Sequence, residues 1–463
     1  MIAPDLSVEL PNELGRVHFI GIGGSGMSGI AKMFHARGLV VTGSDRDESQ
    51  TLSALRADGI DVQVGHEPLS VREADTVVVT GALWEDNPEY RWAIDHGVRI
   101  LHRALALAWL VRDHRVVSVA GAHGKTTSTA MIVTGLLGLG SSPSFVNGGV
   151  LANSGTSSGL GTDPEFVIEA DESDGSFVVY PTSIGLITNI DSDHLAHYGS
   201  EEAFEEAFVT FANGCREVVV VSGDDPTLRR LMPRITTPTV TFGESEGVDY
   251  RVSEIESSAD GVTATITHDD QVVELRLPVA GAHNAMNGAG AIAVMCALGF
   301  GLSAAAAALG DFAGTGRRFD LIDTVRGVRV YDDYAHHPRE VRASLATARS
   351  VVGAGRVIAI HQPHLYSRTR DMAADFAREY ENGADFTVVL DVYGAREDPI
   401  EGVTGSLVSD AFADRTCVAY CPEWPDAAKM AAQHAQSGDI IMTLSCGDVY
   451  RIIPLVVAEL DAS

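Results

Sequence analysis

Lysine is nearly missing from this chain: Lys32, Lys125 and Lys429 are the only three in 463 residues. Acidic residues outnumber basic ones 63 to 33, and the formal net charge is −30. A surface of that sign repels nucleic acid and anionic lipid, which excludes both as expected partners. An acidic chain that takes an anionic substrate must gather its few cations locally. Arg317 beside Arg318, and Arg368 near Arg370, are such clusters. No run of eighteen apolar residues occurs, so no membrane span is expected. The opening MIAPDLSVELPNELG has no basic stretch followed by an apolar run, so no secretory leader is expected. The five cysteines are scattered and odd in number, which argues against a disulfide framework and for a reducing compartment, the cytoplasm. Cys417 and Cys421 have a metal-like spacing but no second pair.

What is present is a rhythm. RVHFIGIGG reads as a strand entering a turn and SGMSGIAKMFHARG as a helix closing on Gly38; LVVTGSD, TVVVTGA and GVRILHR are further strands. Strand and helix in alternation predict a parallel sheet with helices on its faces. The pattern restarts at RVVSVAGAHGKTTSTAMIVTGLLGLG and again after GTGRRFD. Residues 249–279 differ: they alternate apolar and polar between the turns ADG and HDD, as antiparallel hairpins do. The expected fold is therefore α/β in three domains. A Rossmann-like domain covers 1–113. A P-loop ATPase domain with a small antiparallel β insert covers 114–321, and a second Rossmann-like domain covers 322–463.

The stretch SVAGAHGKTTSTA has the form of a phosphate-binding loop, with Gly121, Ala122, His123 and Gly124 between a strand and a helix opening on Lys125, Thr126 and Thr127. A helix start offers unpaired N–H groups and positive dipole, lysine adds a charge, and the threonine hydroxyl can bind Mg²⁺. The common spacing G-x-x-x-x-G-K-[ST] fails, because Val119 stands where its first glycine belongs. Two later strands end in acids: EFVIEADESD in Glu169, Asp171 and Glu172, and SIGLITNIDSDH in Asp191, Asp193 and His194. Ligands in open parallel sheets sit at the carboxyl ends of the strands, so these groups are placed to hold Mg²⁺ against nucleotide phosphates.

A second glycine-rich turn, GIGGSG, contains Gly21, Gly23, Gly24, Ser25 and Gly26, and Asp45 ends the next strand. Read alone this is a dinucleotide fingerprint and suggests an NAD-dependent oxidoreductase. The motif detects a diphosphate on a helix N-terminus, however, and any nucleotide diphosphate satisfies it.

Together with HNAMN, GTGRRFD, YDDYAHHP, IHQPHLYSRTRD and LDVYGARE, these motifs resemble the Mur ligases of bacterial cell-wall synthesis along nearly the whole chain. Their phosphate loop has this shorter length. The resemblance implies an ATP-dependent ligase of peptidoglycan precursor synthesis. It would join L-alanine to UDP-N-acetylmuramate through an acyl phosphate, with a cell-wall tripeptide as the alternative acceptor. It implies that Gly23–Gly26 and Arg103 face the UDP diphosphate. Lys125 and Thr126 would hold ATP and metal, and Glu169 and His194 would hold Mg²⁺, two ions or Mn²⁺ in their place. Asn284 and Asn287 would face adenine, Arg318 the γ-phosphate, Asp333 the ribose, and Tyr334, His364 and Arg368 the amino acid. His364 or a water would accept the amine's proton. Ala196 and Cys446 depart from the usual pattern. A non-catalytic nucleotide-binding regulator is the remaining alternative, and a monomer or homodimer is expected.

Overall fold

The computed structural model describes residues 5–6, 8–191, 195–395 and 397–462. The chain folds as two compact units. The first runs to Ser253 and takes in Thr265–Leu275 and Met286–Phe312; the second takes Glu254–Ala264, Arg276–Ala285 and the chain from Ala313 onward.

The first unit begins with five strands, β1 (Val17–Ile20), β2 (Val41–Asp45), β3 (Asp61–Val64), β4 (Thr76–Val79) and β5 (Arg99–His102). They lie in the order β3-β2-β1-β4-β5, all parallel. Both central strands, VHFI and TVVV, are buried along their whole length, as strands covered on two faces must be. Helices α1 (Ser25–Ala36), α2 (Gln50–Ala57), α3 (Pro88–Asp95) and α4 (Arg103–Val111) connect or follow them. The chain reverses from β3 to β4 beside β1, so the glycine-rich turn after β1 lies at the switch point where such sheets bind ligands.

The ten strands that follow are β6 (Arg115–Ala120), β7 (Ser144–Leu151), β8 (Thr156–Gly159), β9 (Glu165–Glu169), β10 (Thr182–Ile187), β11 (Val218–Ser222), β12 (Thr239–Gly243), β13 (Tyr250–Ser258), β14 (Gly261–His268) and β15 (Gln271–Leu277). They form one sheet in the order β15-β14-β13-β12-β11-β10-β6-β9-β7-β8. The residues of β13, β14 and β15 are divided between the two units. Helix α5 (Lys125–Gly138) follows β6. Register sets the site: Val119 pairs with Glu169 and Ala120 with Ile187, so the loops after β6, β9 and β10 leave the sheet at one level. One apolar core runs from Phe19 and Phe34 through Leu105 and Leu110 to Val116, Phe166 and Ile168.

The second unit carries β16 (Asp320–Val325), β17 (Val328–Asp333), β18 (Val357–His361), β19 (Phe386–Val389), β20 (Val418–Tyr420) and β21 (Ile440–Leu444), in the order β16-β17-β21-β18-β19-β20. Only the edge strand β16 is antiparallel. Its two faces bury separate clusters, one around Phe376 and Tyr380, the other around Ile358, Ile441 and Val456. Three α/β sheets with parallel centres are thus the architecture, as the alternating sequence predicts. No helix among the described residues is long and apolar enough to cross a membrane.

Candidate active site

The phosphate loop is built by backbone that only glycine tolerates. Gly124 caps α5 with φ +84°, and a Cβ there would lie 2.6 Å from Asn287 Oδ1. Gly121 has φ +134°, and its Cβ would meet Thr188 Oγ1 at 2.1 Å. Neighbouring strand ends brace the loop. Asn189 Oδ1 accepts from the His123 N–H at 2.9 Å, and Thr188 Oγ1 donates to the His123 carbonyl at 2.6 Å. The His123 ring lies against Asp191, Nε2 to Oδ2 3.1 Å.

Lys125, half-buried, donates to the Gly121 carbonyl at 2.6 Å and to Glu172 Oε1 at 2.9 Å. Burial disfavours its charge, but Glu172, Asp171 and Glu169 outweigh that and raise its pKa. Glu172 is 1% exposed. Burial, with the nearby Asp171 charge adding to it, pushes its pKa up to about 7 against the pull of Lys125. Thr126 donates its hydroxyl to Glu169 Oε1 at 3.0 Å, and the other Glu169 oxygen accepts from the Gly148 N–H at 2.7 Å. A threonine hydroxyl and a carboxylate on one spot are hard oxygen donors, the set that suits Mg²⁺. Thr127 is half-buried one position further along α5. His194, with Ser192 and Asp193, lies outside the described residues.

At the first turn, Gly21 and Ile22 donate their N–H groups to the Ser44 carbonyl at 2.8 and 3.0 Å. Asp45, at the end of the next strand, braces the turn: its Oδ2 accepts from the Gly23 N–H at 2.8 Å. Gly24 caps α1 and Ser25 opens it. A Cβ added at Gly26 would lie 2.8 Å from Arg103 Nη1, which puts that guanidinium against the start of α1. Arg103 is held there by Asp171, 2.7 Å, and more loosely by Asp174, 3.7 Å. Burial raises and Arg103 with Lys125 lowers the Asp171 pKa, and the cations win by a wide margin. The structure therefore brings two cations, Arg103 and Lys125, and two carboxyl groups, Asp171 and Glu172, into one cluster. Sequence reading named Asp171 and Glu172 only as strand-end acids, because their partners are distant in sequence. Asn287, 3.4 Å from the Ser128 hydroxyl, belongs to this unit.

In the second unit the two adjacent arginines part company. Arg317, with φ +60°, is anchored by Asp332 at 2.8 Å and by the carbonyls of Ser445 and Gly447 at 2.7 and 3.0 Å. Arg318 lies over the Tyr334 ring, 4.9 Å from its centre. Asp333 accepts from the N–H groups of Phe319 and Ala335 and from the Ser344 hydroxyl at 2.7, 2.8 and 2.9 Å. Burial lifts its pKa to about 6 against those bonds and the Arg318 charge. His364 stands between the rings of His336 and Tyr393, 6.0 and 5.9 Å away. Arg368 is buried in the first turn of the helix Tyr366–Gly383 at 9% exposure, and its charge bears on the Cys446 thiol, which burial pushes up to about 12. Asn284 donates to the Ala280 carbonyl at 2.7 Å.

A phosphate loop on α5, a carboxylate braced by its threonine and a glycine-rich turn at a switch point are the parts of an ATP-using α/β enzyme. The chain belongs to the Mur ligase family. Residues 16–115 match the Mur ligase family catalytic domain, 119–295 the Mur ligase middle domain and 317–447 the Mur ligase glutamate ligase domain. The UDP-N-acetylmuramate–L-alanine ligase of Clavibacter michiganensis subsp. michiganensis is 60% identical over all of this chain and 97% of its own length. That of Cutibacterium acnes is 44% identical over 97% of both. Among solved structures, the UDP-N-acetylmuramate–alanine ligase of Thermotoga maritima superposes with a TM-score of 0.83 at 29% identity, covering 96% of this chain and 99% of that one. A murein peptide ligase from Psychrobacter arcticus gives 0.74 at 26%, covering 97% and 99%.

Proposed function

We propose that this chain joins L-alanine to UDP-N-acetylmuramate, converting ATP to ADP and phosphate. The observation that carries the reading is its 60% identity over full length to a ligase of that activity, in a chain whose Lys125, Thr126 and Glu169 meet at one phosphate loop. A carboxylate is a poor acylating agent until one oxygen becomes part of a better leaving group. Here a muramyl carboxylate oxygen attacks the γ-phosphorus, ADP leaves, and an acyl phosphate forms. The amine of L-alanine then attacks the acyl carbon and phosphate departs.

The first step brings two anions together, and Lys125 supplies charge where negative charge develops. Glu169 and Thr126 are the residues that would hold Mg²⁺, which supplies further neutralisation of the phosphates when bound; we assign two ions, with Mn²⁺ an acceptable substitute. The α1 start, Asp45 and Arg103 are assigned to the UDP-sugar. Arg318 is assigned to the γ-phosphate, Asp333 to the ribose, Asn284 and Asn287 to adenine, and Tyr334, His364 and Arg368 to L-alanine. A guanidinium can grip the alanine carboxylate with two parallel bonds. His364 is the assigned acceptor of the amine proton. Domain limits near residues 113 and 321, a cytoplasmic location and a monomeric or homodimeric state complete the proposal.

Phosphate release from ATP tests it, measured with UDP-N-acetylmuramate and a panel of L-alanine, glycine, L-serine and the cell-wall tripeptide. Release that needs both the UDP-sugar and L-alanine is expected. Release driven by the tripeptide instead overturns the choice of acceptor.

A further inference from the structure

The first sheet buries a polar cluster that no step above uses. Glu89, on α3, is 0% exposed, as is Ser44; His18 is 1% exposed. Four elements contribute to it. Ser44 of β2 donates its hydroxyl to Glu89 Oε2 at 2.5 Å. His66, just past β3, places Nδ1 3.2 Å from the same oxygen and 3.0 Å from the Ser44 hydroxyl. The Glu67 N–H donates to Glu89 Oε1 at 3.2 Å. His18 of β1 sets Nε2 3.7 Å from Glu89 and Nδ1 2.8 Å from the Thr42 hydroxyl. Burial works against the Glu89 charge, but the bonds from His18, His66 and Ser44 prevail and hold its pKa down to about 2.

A buried carboxylate costs several kcal/mol unless it is fully bonded, so a fold that needs only stability has no reason to keep one. Its place suggests the reason. Ser44 is bound through its side chain to Glu89 and through its carbonyl to the N–H groups of Gly21 and Ile22. The next residue, Asp45, takes the Gly23 N–H. The N–H groups of Gly21, Ile22 and Gly23, the first three of the glycine-rich turn, are thus all pinned to Ser44 or Asp45.

We propose that Glu89 is a positioning residue for the UDP-sugar: through Ser44 it fixes the end of β2, and with it the turn that receives the diphosphate. This rests on the assignment of that turn to the UDP-sugar. Glu89 touches no substrate in this account. It sets the aim of the turn's backbone against a ligand that needs it within a fraction of an ångström.

Steady-state kinetics of Glu89→Gln, Ser44→Ala, Arg103→Ala and Thr76→Val test it, with thermal midpoints for each. Thr76 serves as the control, since its buried hydroxyl donates to the Leu14 carbonyl at 2.7 Å in the same sheet, away from the turn. Glu89→Gln and Ser44→Ala are expected to raise the KM for UDP-N-acetylmuramate about tenfold, the size of a lost bond to a charged group. The KM values for ATP and L-alanine, and kcat, stay within about twofold, and Thr76→Val lowers the midpoint alone. If Glu89→Gln does not fold, Ser44→Ala decides. An unchanged UDP-sugar KM in Ser44→Ala overturns the inference, as does an equal rise in Thr76→Val. If Arg103→Ala also leaves that KM unchanged, the turn is not the UDP-sugar site and the inference falls with it. A rise in Arg103→Ala alone removes only the role of Glu89.

Discussion

The ammonium of Lys125 sits between both oxygens of the Glu172 carboxylate, 2.9 Å from Oε1 and 2.8 Å from Oε2. A cation assigned to phosphate is thereby held in place by a buried carboxyl group. Burial works toward its neutral form, and Glu172 is the largest of the influences that oppose it. The pair also ties function to stability, because removing either member takes a directly bonded neighbour from a buried group.

Lys125→Ala is therefore expected to fail in two separable ways. Turnover should fall about 10²–10³-fold, the loss typical of a group aimed at developing charge. Stability should fall by about 3 kcal/mol, because Glu172 keeps its burial and loses its partner. Adding Glu172→Gln should restore most of that stability and none of the activity. Chemical denaturation beside phosphate release checks both; a single variant as stable as the parent would contradict the pairing.

Gly124→Ala probes the loop's shape. Its φ of +84° and the Asn287 oxygen 2.6 Å from the new Cβ both oppose the methyl group. A loss of about 1–3 kcal/mol is expected, with a weaker rise of the melting temperature on adding ADP. Calorimetry with and without ADP reads both numbers.

Thr126→Val removes the hydroxyl that donates to Glu169 while keeping the shape. Half-saturation by Mg²⁺ should move about tenfold higher, with activity recovered at high Mg²⁺. A titration of activity against Mg²⁺ at fixed ATP tests this, and an unmoved midpoint would place the metal elsewhere.

His361 makes the second unit acid-labile. It is 1% exposed, its Nδ1 lies 2.7 Å from the Tyr380 hydroxyl, and burial pulls its pKa down to about 3. Between that value and the ordinary imidazole value near 6.5 the unfolded chain binds the extra proton, so stability falls as pH drops through that window. The slope is at most about 1.4 kcal/mol per pH unit from this group. His361→Gln should flatten the dependence in denaturation curves taken from pH 7 to pH 4.

The readable parts of this structure were the local ones. Strand, Gly-Lys-Thr and helix are contiguous, so the phosphate loop could be read despite Val119 in place of the usual glycine. The three hairpin strands announced themselves by alternation between short turns. What could not be read depends on contacts far apart in the chain. Strands β7 and β8 carry NGG and TSSG stretches that look like loop, and pairing alone makes them strands. The edge strand β16 is antiparallel because it pairs with β17, which follows it after a two-residue turn. Glu172 and Lys125 are 47 positions apart, and Ser44 and Glu89 are 45. Neither pair has a spacing that sequence alone would mark. The brace that Asp45 supplies to the turn is visible only once the Gly23 N–H is seen on its carboxylate.

The most direct measurement follows the carboxylate oxygen. UDP-N-acetylmuramate labelled with ¹⁸O in its lactyl carboxylate is incubated with ATP, Mg²⁺ and L-alanine, and the released phosphate is weighed by mass spectrometry. One ¹⁸O is expected in each phosphate formed, equal in amount to the amide product, because the attacking oxygen leaves with phosphorus. Unlabelled phosphate, label in AMP, or label release without amide would contradict it.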